Sequence, residues 1–285
     1  MAVALSETEL TGDRRSAIID LLYRLADDSL IIGHRESEWT GLGPILEEDI
    51  AFSSMAQDKM GHALAFYTLL HELAEPNPNQ LAFLRSASEF RCCAFVALES
   101  FADGQQSPPE SLFNNPVRDR LVSQGDWALS CTRQFLFSEA DAVRMAALET
   151  SSYEPLAQLA RKFRGELKYH TMHGRMLIER LGAATEESRR RMSASVDTLF
   201  PYALGMFETT KWDKLLEAEG LAPAECTLCE RWLEEVGPRL RAAGLEIPKN
   251  AEPVCGGRIG RHPAQLARLV DDIQQVRRLD PAASW

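Results

Sequence analysis

The sequence predicts an all-α protein built on four long helices, and three observations support this. Apolar residues recur at helical spacing from about Arg14 to about Leu181, strand-like alternation is nearly absent there, and glycine and proline cluster between the periodic segments. Ile18, Ile19, Leu22, Leu25, Leu30 and Ile32 mark the first helix; Ile45, Ile50, Phe52, Met55, Met60, Leu64, Tyr67 and Leu70 mark the second. Between them, Thr40-Gly-Leu-Gly-Pro44 ends one helix and offers Pro44 to the first turn of the next, with Glu47-Glu48-Asp49 near the positive end of its dipole. Breaks at Glu75-Pro-Asn-Pro-Asn-Gln80 and Asp103-Gly-Gln-Gln-Ser-Pro-Pro109 bracket a shorter helical piece from about Leu81 to Phe101. Trp127, Leu129, Cys131, Phe135, Leu136, Val143, Met145 and Leu148 give the third long helix. Leu156, Leu159, Phe163, Leu167, Met172, Met176, Leu177 and Leu181 give the fourth, opened near Tyr153-Glu-Pro155 and closed by Gly182.

Two hairpins of long helices with an inserted connection form an up-down four-helix bundle of ferritin-like layout. The chain reads as one domain: a core bundle over about residues 14–182 and a helical C-terminal extension over about 185–285. The extension reads as helices Met192–Phe207, Lys211–Glu219, Ala224–Ala243 and Pro263–Leu279, with a long Gly- and Pro-rich loop from Gly244 to His262. Loops of that length tend to be functional or interface-forming.

At 285 residues, 45% hydrophobic and 26% charged, the chain can bury a large core, and its net charge of −11 argues against nucleic acid or an anionic membrane as partner. The run Arg189-Arg190-Arg191 after Glu186-Glu187 reads as a solvated helix start. Met1 to Leu10 lacks the basic and apolar regions of a signal peptide, and no window reaches the ~18 apolar residues of a membrane span, so a cytoplasmic location is expected. Six scattered cysteines suit small buried hydrophobes better than a disulfide scaffold. Cys226-x-x-Cys229 with Cys255 and His262 could number four zinc ligands, but the pair precedes Trp232-Leu233 and reads as a helix segment. No phosphate loop, Gly-x-Ser-x-Gly, His-Glu-x-x-His or dinucleotide fingerprint is present.

The chemistry-bearing feature is Asp58-Lys-Met-Gly-His62. In ferritin-like di-iron bundles, Glu-x-x-His places a carboxylate and an imidazole one turn apart on an inward face, and two further helices each add a carboxylate. Here the acid's position holds Lys59, a cation where a cation's ligand belongs. The first helix offers Asp28 or its neighbour Asp27. The third offers Ser138 at the inward position, with Glu139 and Asp141 nearby. The fourth reads Glu166-x-x-Tyr169, with His170 one residue further round. Two or three of six ligand positions are therefore wrong in type. A metal cation about 4 Å from an ammonium meets roughly 4 kcal/mol of repulsion at an effective dielectric of 20. The expectation is a degenerate metal site with no catalytic residue, in which Lys59 stands among Asp28 and Glu166 in the metal's place and His62 is a core histidine. His170 and His173 sit beside Gly174 and Arg175 and suggest a bundle edge.

Leu25-Ala-Asp-Asp-Ser-Leu-Ile-Ile-Gly-His-Arg-Glu-Ser-Glu-Trp39, Gly43 to Ala51, Gln57 to Ala63, Arg133-Gln-Phe-Leu-Phe137, Glu166-Leu-Lys-Tyr-His170, Glu179-Arg-Leu-Gly182 and a tail ending in Trp285 after a Gly-Arg-His-Pro loop together resemble the C subunits of phenylacetyl-CoA epoxidases (phenylacetate-CoA oxygenases). The resemblance spans most of the chain and is loose over residues 185–255. It implies a non-catalytic scaffold with no cofactor of its own. Its partner would be a catalytic ferritin-like A subunit that carries the di-iron centre, alongside other complex subunits and a reductase in an NADPH-dependent ring epoxidation. Two alternatives stay open. One is an oxygenase with an atypical metal centre of Asp28, Asp58, His62, Glu139, Glu166 and His170. The other is a homodimeric acyl-CoA-binding protein. An interface could form from Phe200, Tyr202, Leu204, Phe207, Trp212 and Trp232, although these could equally pack the last helices on the bundle.

Overall fold

A computed structural model of the chain describes residues 11–100 and 125–280. The expected break at Asp103–Pro109, the segment Met1–Leu10 and the tail ending in Trp285 lie outside the described residues. The protein is all-α, with a ferritin-like bundle of four long helices: α1 (Gly12–Ser37), α2 (Leu46–Glu72), α5 (Trp127–Leu148) and α6 (Glu154–Ala184). Helix α1 packs along α2 and α5 along α6, and the two hairpins meet where α2 lies against α6. Ile18, Leu22, Met55, Leu70, Phe135, Leu136, Leu156 and Ile178 are shut off from solvent in the core between them.

The helix ends follow local chemistry. The Asp126 carboxylate accepts the amides of Ala128 and Leu129, starting α5. Pro155 sits in the first turn of α6. Pro44 does not enter α2, which starts at Leu46 after an extended Ile45. Gly182 does not close α6, which runs on to Ala184. A side chain at Gly182 would meet the Ala243 carbonyl oxygen at 2.5 Å, so the glycine serves a close helix crossing.

The expected helix from about Leu81 is instead three short pieces: α3 (Pro78–Phe83), a 3-10 turn (Ala87–Glu89) and α4 (Ala94–Ala97). Two acids on α1 explain this. Asp27 accepts the Arg91 amide at 2.6 Å and Asp28 accepts the Cys93 amide at 2.7 Å, which holds the strand of backbone between the pieces extended against α1. Arg85 binds the buried Asp27 and lies over the Phe90 ring at 4.1 Å.

The extension forms α7 (Glu186–Leu204), α8 (Asp213–Ala218), α9 (Glu225–Ala242), α10 (Ala264–Ile273) and α11 (Gln275–Leu279), so the stretch expected as one helix from Pro263 is interrupted at Gln274. Thr185 caps α7, and Arg190 and Arg191 pair with the exposed Glu187 as a solvated start. Helices α7 and α9 both cover α5. Trp232 is fully buried, donates its indole N–H to the Leu136 carbonyl at 3.0 Å and lies 5.5 Å from Phe200 and 5.4 Å from Phe207. Phe200, Phe207 and Trp232 therefore pack the extension onto the bundle, with Tyr202, Leu204 and Trp212 half-buried against the same core. The loop from Gly244 to His262 is structural as well. Gly257 presses on the Cys92 carbonyl, and Arg258 reaches Asp28 with contacts of 2.9 and 2.8 Å. Cys226 and Cys229 lie on α9, as the sequence suggests. Among the described residues, no helix is long and apolar enough to cross a membrane.

Trp232→Ala removes the largest buried side chain joining extension to bundle and is expected to cost about 3–5 kcal/mol. Denaturant unfolding measures this, and an unchanged midpoint would show that the extension is only loosely attached.

Candidate functional site

Lys59 enters the bundle from α2 and is 1% exposed. Its ammonium is paired with Asp141 of α5 and lies 5.3 Å from the centroid of the Phe137 ring. Phe137 and Asp141 are four residues apart on one helix, so both meet the same incoming side chain. On the α1 side, Gly33 lets the helices close: a side chain there would come within 3.2 Å of the Lys59 Cβ and the Ala56 carbonyl. One turn on from Gly33, Glu36 is 3% exposed with its Oε2 lacking a hydrogen-bond partner. Burial pushes its carboxyl up to about 7, against the opposing pull of Lys59 and Arg133.

Beside this pair, the seam between α2 and α6 carries two crossed histidine–carboxylate contacts. His62 Nε2 meets Glu166 Oε2 at 2.6 Å, and His170 Nε2 meets Asp58 Oδ2 at 3.0 Å. Each helix supplies one acid and, four residues later, one histidine, so the two pairs lie side by side with the imidazole centroids 6.4 Å apart. His62 also stacks on Phe163 at 3.8 Å. Burial first, and Lys59 second, bring both imidazoles down to about 2, so they are neutral at physiological pH. Burial pushes the Asp58 and Glu166 carboxyls up, yet both keep an edge in solvent, at 29% and 43% exposure.

The residues singled out from sequence divide into two groups. Lys59, His62, Glu166 and His170 come together. Asp28, Glu139 and Tyr169 do not join them. Asp28 is held by Arg258, and Asp27, the other candidate on α1, by Arg85 and the Tyr67 hydroxyl at 2.6 Å. Glu139 faces the opposite side of α5, where Arg175 binds it at 2.5 and 2.8 Å. Tyr169 turns outward at 38% exposure, leaving His170 as the inward residue of α6. Ser138 is buried and accepts a hydrogen bond from Gln134 at 3.0 Å, but the acid that meets Lys59 is Asp141, three residues later. The expected neighbours of Lys59, Asp28 and Glu166, are thus both engaged elsewhere. Its actual partner, Asp141, stands in the sequence reading only as a neighbour of the preferred Ser138, and its buried companion Glu36 escapes that reading. The helical register of Asp141 with Phe137 could have identified the first; Glu36 is masked by the charged run His34 to Glu38.

A ferritin-like fold implies a di-iron pair, and the donor set does not fit one. About four carboxylates must converge to neutralise two divalent irons. In this chain an ammonium holds the centre, each inward imidazole has its Nε2 on a carboxylate, and Asp28 and Glu139 are bound by arginines. The alternative set of Asp28, Asp58, His62, Glu139, Glu166 and His170 is divided in the same way. Among the described residues, no group of three or more His, Cys, Asp or Glu side chains is arranged to hold a metal ion, Cys226, Cys229, Cys255 and His262 included. Between the Lys59–Asp141 and Asp28–Arg258 pairs lies a cavity of about 20 Å³, lined by Ser29, Phe137 and Ala140 among others, with room for about one water.

Lys59→Met leaves Asp141 and Glu36 buried without their cation and is expected to cost about 3–5 kcal/mol; Lys59→Met with Asp141→Leu should recover much of that loss in a denaturant titration. The pH dependence has two opposite parts. Glu36 has a raised carboxyl, so its contribution is fully present below about 4.5 and is lost as pH rises through about 7. The neutral imidazoles of His62 and His170 act the other way: their contribution is present above about 6.5 and is lost as pH falls toward about 2. Glu36→Gln should therefore stabilise the protein at pH 8 by about 1–3 kcal/mol and leave the acid side of the Tm profile in place. An unchanged slope above pH 6 would contradict the assignment.

The chain is similar to a known protein over nearly its whole length. It is 28% identical over 265 residues to the C subunit of 1,2-phenylacetyl-CoA epoxidase from Escherichia coli (strain K12), covering 92% of this chain and 96% of that protein. A model of the family described as "Phenylacetic acid catabolic protein" matches residues 1–285. The chain belongs to the phenylacetic acid catabolic protein family.

Proposed function

We propose that this protein is the non-catalytic structural subunit of a multicomponent di-iron monooxygenase that epoxidises the ring of phenylacetyl-CoA in aerobic phenylacetate degradation. The observation that carries the reading is the buried Lys59–Asp141 pair, which puts a fixed positive charge at the level where a ferritin-like oxygenase needs anionic ligands. The likeness to the C subunit of 1,2-phenylacetyl-CoA epoxidase supports the pathway and the subunit role. In this reading the chain holds no metal and performs no chemical step. It provides a rigid helical body for a ferritin-like catalytic partner that binds the di-iron centre and the thioester, and a reductase delivers electrons to that partner.

The interior suits such a role. A buried ion pair exchanged for a metal pair removes any dependence of folding on iron supply, and neutral imidazoles braced on carboxylates tie α2 to α6.

Three measurements test the reading. Purified chain should contain substoichiometric iron and show no ligand-to-metal absorption band, and it should co-purify with a catalytic ferritin-like chain whose epoxidation fails without it. Two irons per chain would overturn the proposal. Lys59→Glu should lower stability and gain no iron, because Asp28 and Glu139 stay committed to arginines; iron with turnover in that variant would contradict the account.

A further inference from the structure

Between α5 and α6 lies a cleft of about 310 Å³, open to solvent, that shares no lining residue with the Lys59 pair or the α2–α6 seam. The sequence makes the gap. The two helices pack along one another, but alanine stands at Ala142 and Ala146 on the facing side of α5, one turn apart, and their methyl groups do not fill the space that α6 leaves. Met145, Ala160 and Leu167, at 3%, 0% and 4% exposure, form an apolar floor. At ~30 Å³ per non-hydrogen atom, the share of one water in the liquid, the cleft takes a body of about ten such atoms, and its volume falls at the lower end of the roughly 300–1,000 Å³ of small-ligand sites.

The rim is cationic, although the chain as a whole carries a net charge of −11. Arg164 and Lys168 are one turn apart on α6, an arrangement in which like charges repel. One acid in the lining opposes them: the Glu149 carboxylate stands 3.8 Å from Arg164, whose side chain is 75% exposed, so this pair is held weakly. Lys168 makes no ion pair among the described residues. The other cations of this stretch of α6 are engaged elsewhere. Arg161 binds the Glu154 carboxylate and the Glu149 carbonyl at 2.5 and 2.8 Å, and Lys162, outside the cleft, is the cation that acts most strongly on Glu166 of the α2–α6 seam.

These charges select the head group of a ligand. Thr171 donates its hydroxyl hydrogen to the Leu167 carbonyl at 3.0 Å, so the side chains lining the cleft offer no neutral donor. A neutral ligand would leave the Arg164–Lys168 repulsion unrelieved. A single negative charge set between them relieves it, and a second would face Glu149.

We infer that the α5–α6 cleft is a binding site for a small monocarboxylate, with an apolar body of about eight carbons on Met145, Ala160 and Leu167 and its carboxylate between Arg164 and Lys168. This inference stands apart from the scaffold reading, since it uses none of the residues on which that reading rests.

A ligand-observed NMR titration of the purified full chain tests it, with octanoate and phenylacetate as probes and their primary amides as neutral counterparts. At least one acid should bind, at least tenfold tighter than its amide, and the better binder distinguishes an aliphatic from an aromatic body. Lys168→Glu should weaken binding at least tenfold, as should Ala146→Phe, whose ring fills the cleft from an exposed position. Lys168→Glu also turns a repelling pair into an attracting one, so its Tm without ligand should equal or exceed that of wild type. Lys162→Glu, on the same helix but outside the cleft, should leave the affinity within about twofold, and all three variants should keep the wild-type circular-dichroism spectrum. No binding of either acid at millimolar concentration would overturn the proposal, and so would amides that bind as well as the acids. Equal weakening by Lys162→Glu and Lys168→Glu would also overturn it, because the acids would then be held by the general charge of α6.

Discussion

The rest of the interior is arranged around the ammonium of Lys59 and its counter-charge on Asp141. Removing a lysine from water costs several kcal/mol unless charge and hydrogen bonds replace the lost hydration. Asp141 supplies the charge, the Phe137 ring supplies a polarisable face, and Glu36 adds a second carboxyl whose ionisation the lysine favours. This pair joins α2 to α5, and among the described residues the neighbouring acids and histidines do not converge on a metal site. They pair with one another along the α2–α6 seam. One substitution of charge type is thus consistent with the arrangement of four helices' polar side chains.

A second layer of buried charge links the bundle to everything outside it. Asp27 and Asp28 are adjacent on α1 and point to different clients: Asp27 to Arg85, Tyr67 and the Arg91 amide, Asp28 to Arg258 and the Cys93 amide. Residues 78–100 and the loop of residues 244–262 are therefore both pinned to the first helix. Arg144 and Arg24 share Glu225 at the start of α9, which fixes the extension to α5 and α1. Each pair is costly to break from one side only, so these contacts specify how the pieces assemble more than they add to net stability.

Much of the fold is legible in the sequence because long amphipathic helices are set by local periodicity. Apolar spacing locates all four bundle helices, and Pro155 and the cluster around Gly41 to Pro44 mark their joints. The segment after Leu81 departs from its helical pattern because that pattern yields to Asp27 and Asp28, which are distant in sequence. Gly182 resembles a helix stop, yet its smallness serves a crossing with Ala243. At the site, Lys59, His62 and the inward acid and histidine of α6 are visible as departures from a metal-binding pattern. Their partners are not: choosing Ser138 over Asp141 or Asp28 over Glu36 requires the rotation of one helix about its axis relative to another, which side-chain packing decides. The one-residue shift from Tyr169 to His170 is the same uncertainty on α6.

The most direct test is a crystal structure with an anomalous difference map collected at the iron absorption edge after growth in iron-rich medium. The account predicts continuous density from Lys59 to the Asp141 carboxylate, side chains of His62 and His170 on Glu166 and Asp58, and no anomalous peak inside the bundle. Density showing Lys59 turned out to solvent, with an iron peak held by Asp58, His62, Glu166 and His170, would contradict it.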